Sequence, residues 1–226
     1  MAPRSAIMAA FAPILVAASP ALAADQDVEL WTVGIATGPI SGKVLGSMEV
    51  SIRSSDEGTR HATVLLRPSI GYQVTPKLSL WAGYTRATIG TIGRPLSIEN
   101  RYFQQASWTI GKVAGGTLTS RTRLEQRTVM GRNDTGWRAR QQLRWTKPIA
   151  KEGTSVVLSS EVFVALNSTD FGASAGLDQT RNFAGINLPL AKGFTVEGGY
   201  MNRYVRRAGV PDRLDHILPI TATYRF

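Results

Sequence analysis

Alternation is the property that most restricts what this chain can become. From Val28 to Phe226, segments of roughly ten residues or more switch between apolar and polar at each step, and clusters of Gly, Pro, Asn and Asp divide them. A side-chain period of two belongs to β-strands, a period of 3.6 to helices. The pattern predicts strands at 28–37, 43–53, 61–74, 77–87, 98–111, 116–130, 135–147, 154–167, 179–190, 194–206 and 212–226.

The two faces of these strands differ in kind. In "TGWRARQQLRWTK", Trp137, Ala139, Leu143 and Trp145 share one face, and Arg138, Arg140, Gln142 and Arg144 share the other. In "TSRTRLEQRTV", Arg121, Arg123, Glu125 and Arg127 oppose Thr122, Leu124 and Gln126. In "ENRYFQQASWTI", Tyr102, Ala106, Trp108 and Ile110 oppose Glu99, Arg101 and Gln105. A soluble sandwich turns its apolar face inward and its charges to water, and periodicity alone does not exclude that. Strand length favours the reverse. Sandwich strands average about five to six residues, whereas a barrel crosses a bilayer with about nine to eleven. A sheet in lipid must also close, because an open edge leaves backbone groups unpaired. The expectation is an all-β fold, an antiparallel transmembrane β-barrel of about 10–12 strands in meander order. Bacterial single-chain barrels have even counts. Residues 43–226 supply ten strands, so either 28–37 is not a full wall strand or one further strand is hidden.

The ends of the chain carry an address. "MAPRSAIMAAFAPILVAASPALA" has one basic residue, Arg4, a short apolar run from Ala6 to Ala18, and small residues at Ala21 and Ala23. This reads as a signal peptide, 1–23, cleaved at about Ala23, with 24–226 as the barrel. The run is shorter than the roughly 20 residues that span a bilayer. At the other end, Leu218, Ile220, Ala222, Tyr224 and Phe226 form one alternating apolar row. A last strand of this kind resembles the assembly signal of Gram-negative outer-membrane barrels, with Phe226, Tyr224, Ile220 and Leu218 as the residues read. The expected location is the outer membrane of a Gram-negative bacterium. The expected partners are outer-membrane lipid, lipopolysaccharide and, during biogenesis, the barrel-assembly machinery. Tight turns at 75–77 and 191–193 suit the periplasmic side, and longer stretches at 88–97 and 167–178 suit the exterior.

The chain has no Cys, which excludes disulfides and thiolate chemistry, and it is strongly basic at +10. The arginines alternate with apolar residues and form no exposed stripe, so nucleic acid is not an expected partner.

The order of "ENRYFQQ", "SRTRLEQR", "GWRARQQLRW", "SSEVFVALN" and "DQTRNFAGINLPL", with "GY" at 83–84 and 199–200, resembles the bacterial domain-of-unknown-function family 2490. The resemblance covers most of the chain beyond residue 23 and implies an exported outer-membrane barrel. It brings no activity and no catalytic motif.

If the apolar face meets lipid, the lumen collects Glu49, Arg53, Arg67, Glu99, Arg101, Arg121, Arg123, Glu125, Arg127, Arg138, Arg140, Arg144, Glu161, Arg181, Glu197 and Arg203, with Arg213 and Asp215. A charge on the lipid face at mid-depth costs about 2–4 kcal/mol, which favours the inward choice. One reading is a ladder of Arg–Glu pairs that fills the interior and leaves a structural or envelope role. The other is a narrow channel or pocket in which surplus arginine prefers small anionic solutes. A third reading, a lipid-modifying hydrolase, would need a Ser within reach of His216, which shares the apolar row of the last strand. No such Ser can be placed from sequence. No spacing indicates a metal or an organic cofactor, and no catalytic residue is assigned.

Overall fold

Short connections between long alternating segments leave each strand beside its neighbour in sequence, and the chain follows that rule from one end to the other. The computed structural model describes residues 25–55, 61–91, 93–150 and 152–226. The expected signal peptide and its cleavage site lie outside the described residues. Eleven strands are present among them: β1 (Asp25–Ser41), β2 (Val44–Ser55), β3 (His61–Thr75), β4 (Leu78–Thr91), β5 (Ser97–Val113), β6 (Gly116–Val129), β7 (Gly136–Pro148), β8 (Ser155–Ala165), β9 (Gly176–Ala191), β10 (Phe194–Val205) and β11 (Arg213–Arg225). They form one closed barrel in chain order.

Every neighbouring pair is antiparallel except the seam. There β1 runs parallel to β11, with Asp25 opposite Arg213 and Thr37 opposite Arg225. The even count expected from the sequence is thus replaced by eleven. The segment at 28–37 belongs to a full wall strand that pairs with β2 on one side and β11 on the other. The physical reason is closure: an odd number of up-and-down strands brings the first and last together pointing the same way, and parallel hydrogen bonding satisfies both edges.

The two mouths are unlike. At one mouth lie the tight connections Gly42–Lys43, Pro76–Lys77, Ala114–Gly115 and Lys192–Gly193, the 149–154 connection, and Phe226. We call this the turn end. Ala114 and Gly115 both have positive φ, 48° and 77°, the geometry of a two-residue hairpin whose twist matches the strands. The loop end holds Asp25 and the longer connections 130–135, 166–175 and 206–212. The stretches 88–97 and 167–178 contribute less loop than the sequence suggests, because β4 continues to Thr91 and β9 begins at Gly176.

The outer wall is apolar. Val28, Val50, Ile52, Leu66, Ile70, Leu158 and Leu188 are exposed there, as are Leu218, Ile220, Tyr224 and Phe226 of the last strand. Water-soluble monomers rarely expose contiguous apolar patches of more than a few hundred Å². The buried side chains lie inside the barrel, and many of them are charged.

Candidate functional site in the barrel lumen

Alternation dictates what the interior receives. Strand residues two apart share a face, so the charged rows of β5–β8 project together into one enclosed space. Glu125 on β6 lies at its centre. Its Oε2 accepts from Arg138 Nη2 at 2.7 Å and Nε at 3.0 Å, and its Oε1 accepts from Arg140 Nη1 at 2.6 Å. Arg140 turns its other edge to Glu161 Oε1, at 2.7 and 3.0 Å, and Arg121 reaches the same oxygen at 3.0 Å. Arg138 also donates to Asp178 at 2.9 Å.

Four smaller groups surround this cluster. Glu99 accepts from Arg101 at 2.8 and 2.9 Å and from Arg127 at 2.5 Å. Arg67 binds both oxygens of Glu49 at 2.6 Å and donates Nε to Thr85 at 3.0 Å. Arg203 bridges Asp215 and Glu29, each at 2.6 Å, and Arg213 Nε lies 2.9 Å from Asp215. Arg144 on β7 pairs with Glu197 on β10 across two intervening strands, Nη1 to Oε1 at 3.0 Å. Burying an ion pair costs several kcal/mol of desolvation per ion, and only multiple bonds per group offset it. The shared carboxylates supply them.

The acids do not neutralise every arginine. Among the described residues, Arg53 hydrogen-bonds only Ser51 Oγ, at 3.4 Å, and Arg181 only Gln179, at 3.5 Å. Both instead lie against Trp31, 3.8 and 4.9 Å from its ring centroid, with Arg203 at 5.3 Å. Arg181 and Arg140 also stack on Phe163 at 4.5 and 4.3 Å, and Arg123 on Phe103 at 4.0 Å. A guanidinium over an aromatic face is stabilised by the ring quadrupole, more so when desolvated. Trp31, Phe103, Phe163, Glu29 and Asp178 are absent from the sequence-based lumen set. The usable signal was parity: Glu29 and Trp31, Arg101 and Phe103, Glu161 and Phe163 are each two apart. Gly83 makes room for one of these rings, since a Cβ there would stand 2.4 Å from Phe103.

Two cavities flank this belt. The turn-end cavity, about 260 Å³, is lined by Glu49, Arg67, Arg121 and Arg123 with Ser47, Ser69, Ser79 and Ser107 among its walls. The loop-end cavity, about 240 Å³, includes Glu29, Arg53, Thr63, Arg203 and Arg213. They share no lining residue. Between them on β1 to β4 stand Trp31, Ser51, Leu65, Thr85 and Ala87, all at most 3% exposed.

Two other constellations are placed by the structure. Carboxylate oxygens of Asp27, Glu29 and Asp215 lie within 4.8 Å of one another, a possible cation site. Arg203 bridges two of the three, so a guanidinium already holds the position of the cation. On the outer face, His216 Nδ1 lies 2.7 Å from the Tyr200 hydroxyl. The residues directly opposite His216 are Asn202 on β10 and Val28 on β1, neither of them a nucleophile. Ser160 shares the same cross-strand row through Asn182, three strands away on β8.

A closed β-barrel with an apolar exterior and an arginine-rich, charged interior is thus the class to which this molecule belongs. More particularly, the chain belongs to the family described as "Protein of unknown function (DUF2490)", whose model matches residues 28–214. It is similar to an uncharacterized protein of Methylorubrum extorquens, 37% identical over 203 residues, with 89% of each chain covered. No solved structure matches.

Proposed function

We propose that the protein is an integral outer-membrane barrel with a structural or envelope role, and that its lumen is plugged. The observation that carries this reading is the layer of buried side chains, Trp31, Ser51, Leu65, Thr85 and Ala87, between the two cavities and inside an apolar outer wall. Eight strands are just filled by side chains and 16–18 leave an aqueous channel, so at eleven the side chains decide. Aromatic side chains near both mouths support membrane residence: Tyr72, Trp108, Trp145 and Tyr224 toward the turn end, Trp137 and Tyr204 toward the loop end. On this reading the turn end faces the periplasm and a signal peptide is removed at about Ala23.

The test is a pair of measurements. The protein fractionates with outer membranes and migrates faster on gels when unheated, and refolded protein in planar bilayers is electrically silent. Recovery from the soluble periplasm overturns the membrane reading; steady single-channel current overturns the plug.

A second reading, a pocket for small anionic solutes, is favoured by Arg53 and Arg181, which have no carboxylate partner among the described residues. A lipid-hydrolase role has weaker support, because the group on His216 is a tyrosine hydroxyl.

A further inference from the structure

We propose that the turn-end cavity is a binding site for a small oxyanion of the phosphate type. This rests on the anion-pocket reading and assigns it to one mouth. The cavity presents three guanidinia, Arg67, Arg121 and Arg123, against one carboxylate, Glu49. That carboxylate is already taken, since Arg67 holds both of its oxygens at 2.6 Å. Arg123 spends Nε and Nη2 on the amide oxygen of Gln105, a neutral acceptor, at 2.9 and 2.5 Å. Its Nη1 is buried with no hydrogen-bond partner, 3.6 Å from Glu125. Arg123 is 5% exposed, so the orphaned donor has no access to bulk water. Arg121 has the same defect at Nε, and its one bond goes to a Glu161 oxygen that Arg140 already occupies. A buried donor left unmade costs about 1–3 kcal/mol, more when charged. Both nitrogens are buried in the present packing, so a rotation of the Arg121 and Arg123 side chains is needed to turn them to the cavity, where an oxyanion supplies the missing acceptors in a geometry that a guanidinium fork matches.

The rest of the wall suits the same ligand. Ser47, Ser69, Ser79 and Ser107 bring hydroxyls from four consecutive strands; Ser79 and Ser107 accept from Trp81 and Gln105, which leaves each hydroxyl's proton able to donate to an oxyanion without adding charge. At the loop end, Arg203 is engaged by Asp215 and Glu29, while Arg213 Nε lies 2.9 Å from Asp215 without a formed hydrogen bond and Arg53 bonds Ser51 Oγ; the four serines are what set the turn-end wall apart.

The mouth above the cavity adds a collecting field. The chain has six lysines: Lys43, Lys77, Lys112, Lys147, Lys151 and Lys192. Five of them are described, and all five are exposed at the turn end, joined there by Arg225. The sixth, Lys151, belongs by sequence to the β7–β8 connection. The cations of the lumen are all arginine among the described residues, so the two residue types divide the labour. Lysine is a hydrated, mobile point charge that concentrates anions at an entrance; arginine fixes their geometry inside.

The experiment is a titration of inorganic phosphate into the folded barrel in uncharged detergent micelles, followed by calorimetry and by thermal midpoint, with chloride at equal ionic strength as reference. Phosphate is expected to bind and to raise the midpoint where chloride does not. Arg121→Gln, at a partly exposed wall position, should weaken binding at least tenfold. Ser107→Phe, which fills the cavity without changing charge, should abolish it; heat-modifiable gel migration establishes that each variant is folded. If Ser107→Phe misfolds, the Arg121→Gln and Ser79→Ala pair carries the test. Phosphate binding that survives Arg121→Gln but is lost in Arg53→Gln overturns the assignment to this mouth and leaves the anion-pocket reading standing. No phosphate effect on folded wild type at millimolar concentration overturns both.

Discussion

Arg181 on β9 lays its guanidinium 4.9 Å from the centre of the Trp31 ring on β1, although β10 and β11 stand between the two strands in the wall. The contact crosses the interior, and Arg53 covers the same ring from β2 at 3.8 Å. Trp31 is therefore the piece around which the surplus arginines are packed. Trp31→Ala should open a continuous path between the two cavities and lower stability by about 3–5 kcal/mol. The check is bilayer conductance: current that prefers anions and loses that preference at high salt, as the screening length shortens from about 10 Å at 0.1 M to about 3 Å at 1 M. Trp31→Phe should stay silent.

Glu125 is shared by Arg138 and Arg140, and all three are buried. Glu125→Gln leaves two guanidinia short of a counter-charge. A loss of about 3–5 kcal/mol is expected, seen as a lower temperature for conversion from folded to unfolded gel mobility. Glu197→Gln should cost at most about 1 kcal/mol, because its partner Arg144 is 32% exposed and water replaces the lost contact. Equal losses for the two variants would contradict this ranking of the clusters.

The 206–212 connection is held by Asp212, which accepts from the Tyr204 hydroxyl and, at 2.9 Å, from the Arg207 backbone N–H. These donors hold its carboxyl below the usual value of 3.8, the tyrosine hydrogen bond first. A depressed carboxyl contributes order that is fully present above its unfolded value and is lost as pH falls through the folded one. The connection should therefore stay ordered at neutral pH and loosen only under strong acid. Asp212→Ala removes the hold at all pH values, and trypsin added to intact cells should then cut at Arg206 or Arg207. Cleavage only in opened cells would place the loop end inward.

Phe226 donates its backbone N–H to Thr37 at 3.3 Å, joining the last residue to β1. Its deletion should reduce the amount of barrel recovered from outer membranes while leaving export to the periplasm unchanged. Quantitative blotting of the two fractions decides it, and normal outer-membrane levels would remove the proposed role of the last strand.

The strands were legible because their punctuation is chemical. Gly42, Pro76, Gly115 and Gly193 sit where the chain reverses, and hydrophobic alternation runs between them. The strand count was harder to read. "DVELWTVGIA" alternates like any other segment, but whether it closes the ring depends on β11, far along the chain, and local pattern carries no record of that partner. The interior aromatics were hidden for a different reason. Aromatic residues on a barrel are expected at the lipid interfaces, whereas Trp31, Phe103 and Phe163 serve here as faces for arginine. Their two-residue spacing from Glu29, Arg101 and Glu161 was the available clue.

The parallel seam gives the molecule a handedness of traffic. Ten of the eleven strand pairings join neighbours in sequence, so each forms as a hairpin with little chain to gather in. The eleventh joins Asp25 to Arg213 and closes a loop made of nearly the whole chain. Loop-closure entropy places that pairing last, and until it forms two bare strand edges are open to other chains. Because the two seam strands run the same way, the chain enters the wall at one mouth and leaves it at the other. A reporter joined ahead of Asp25 and one joined after Phe226 would be displayed on opposite sides of whatever the barrel spans, an arrangement that an even-numbered barrel cannot provide.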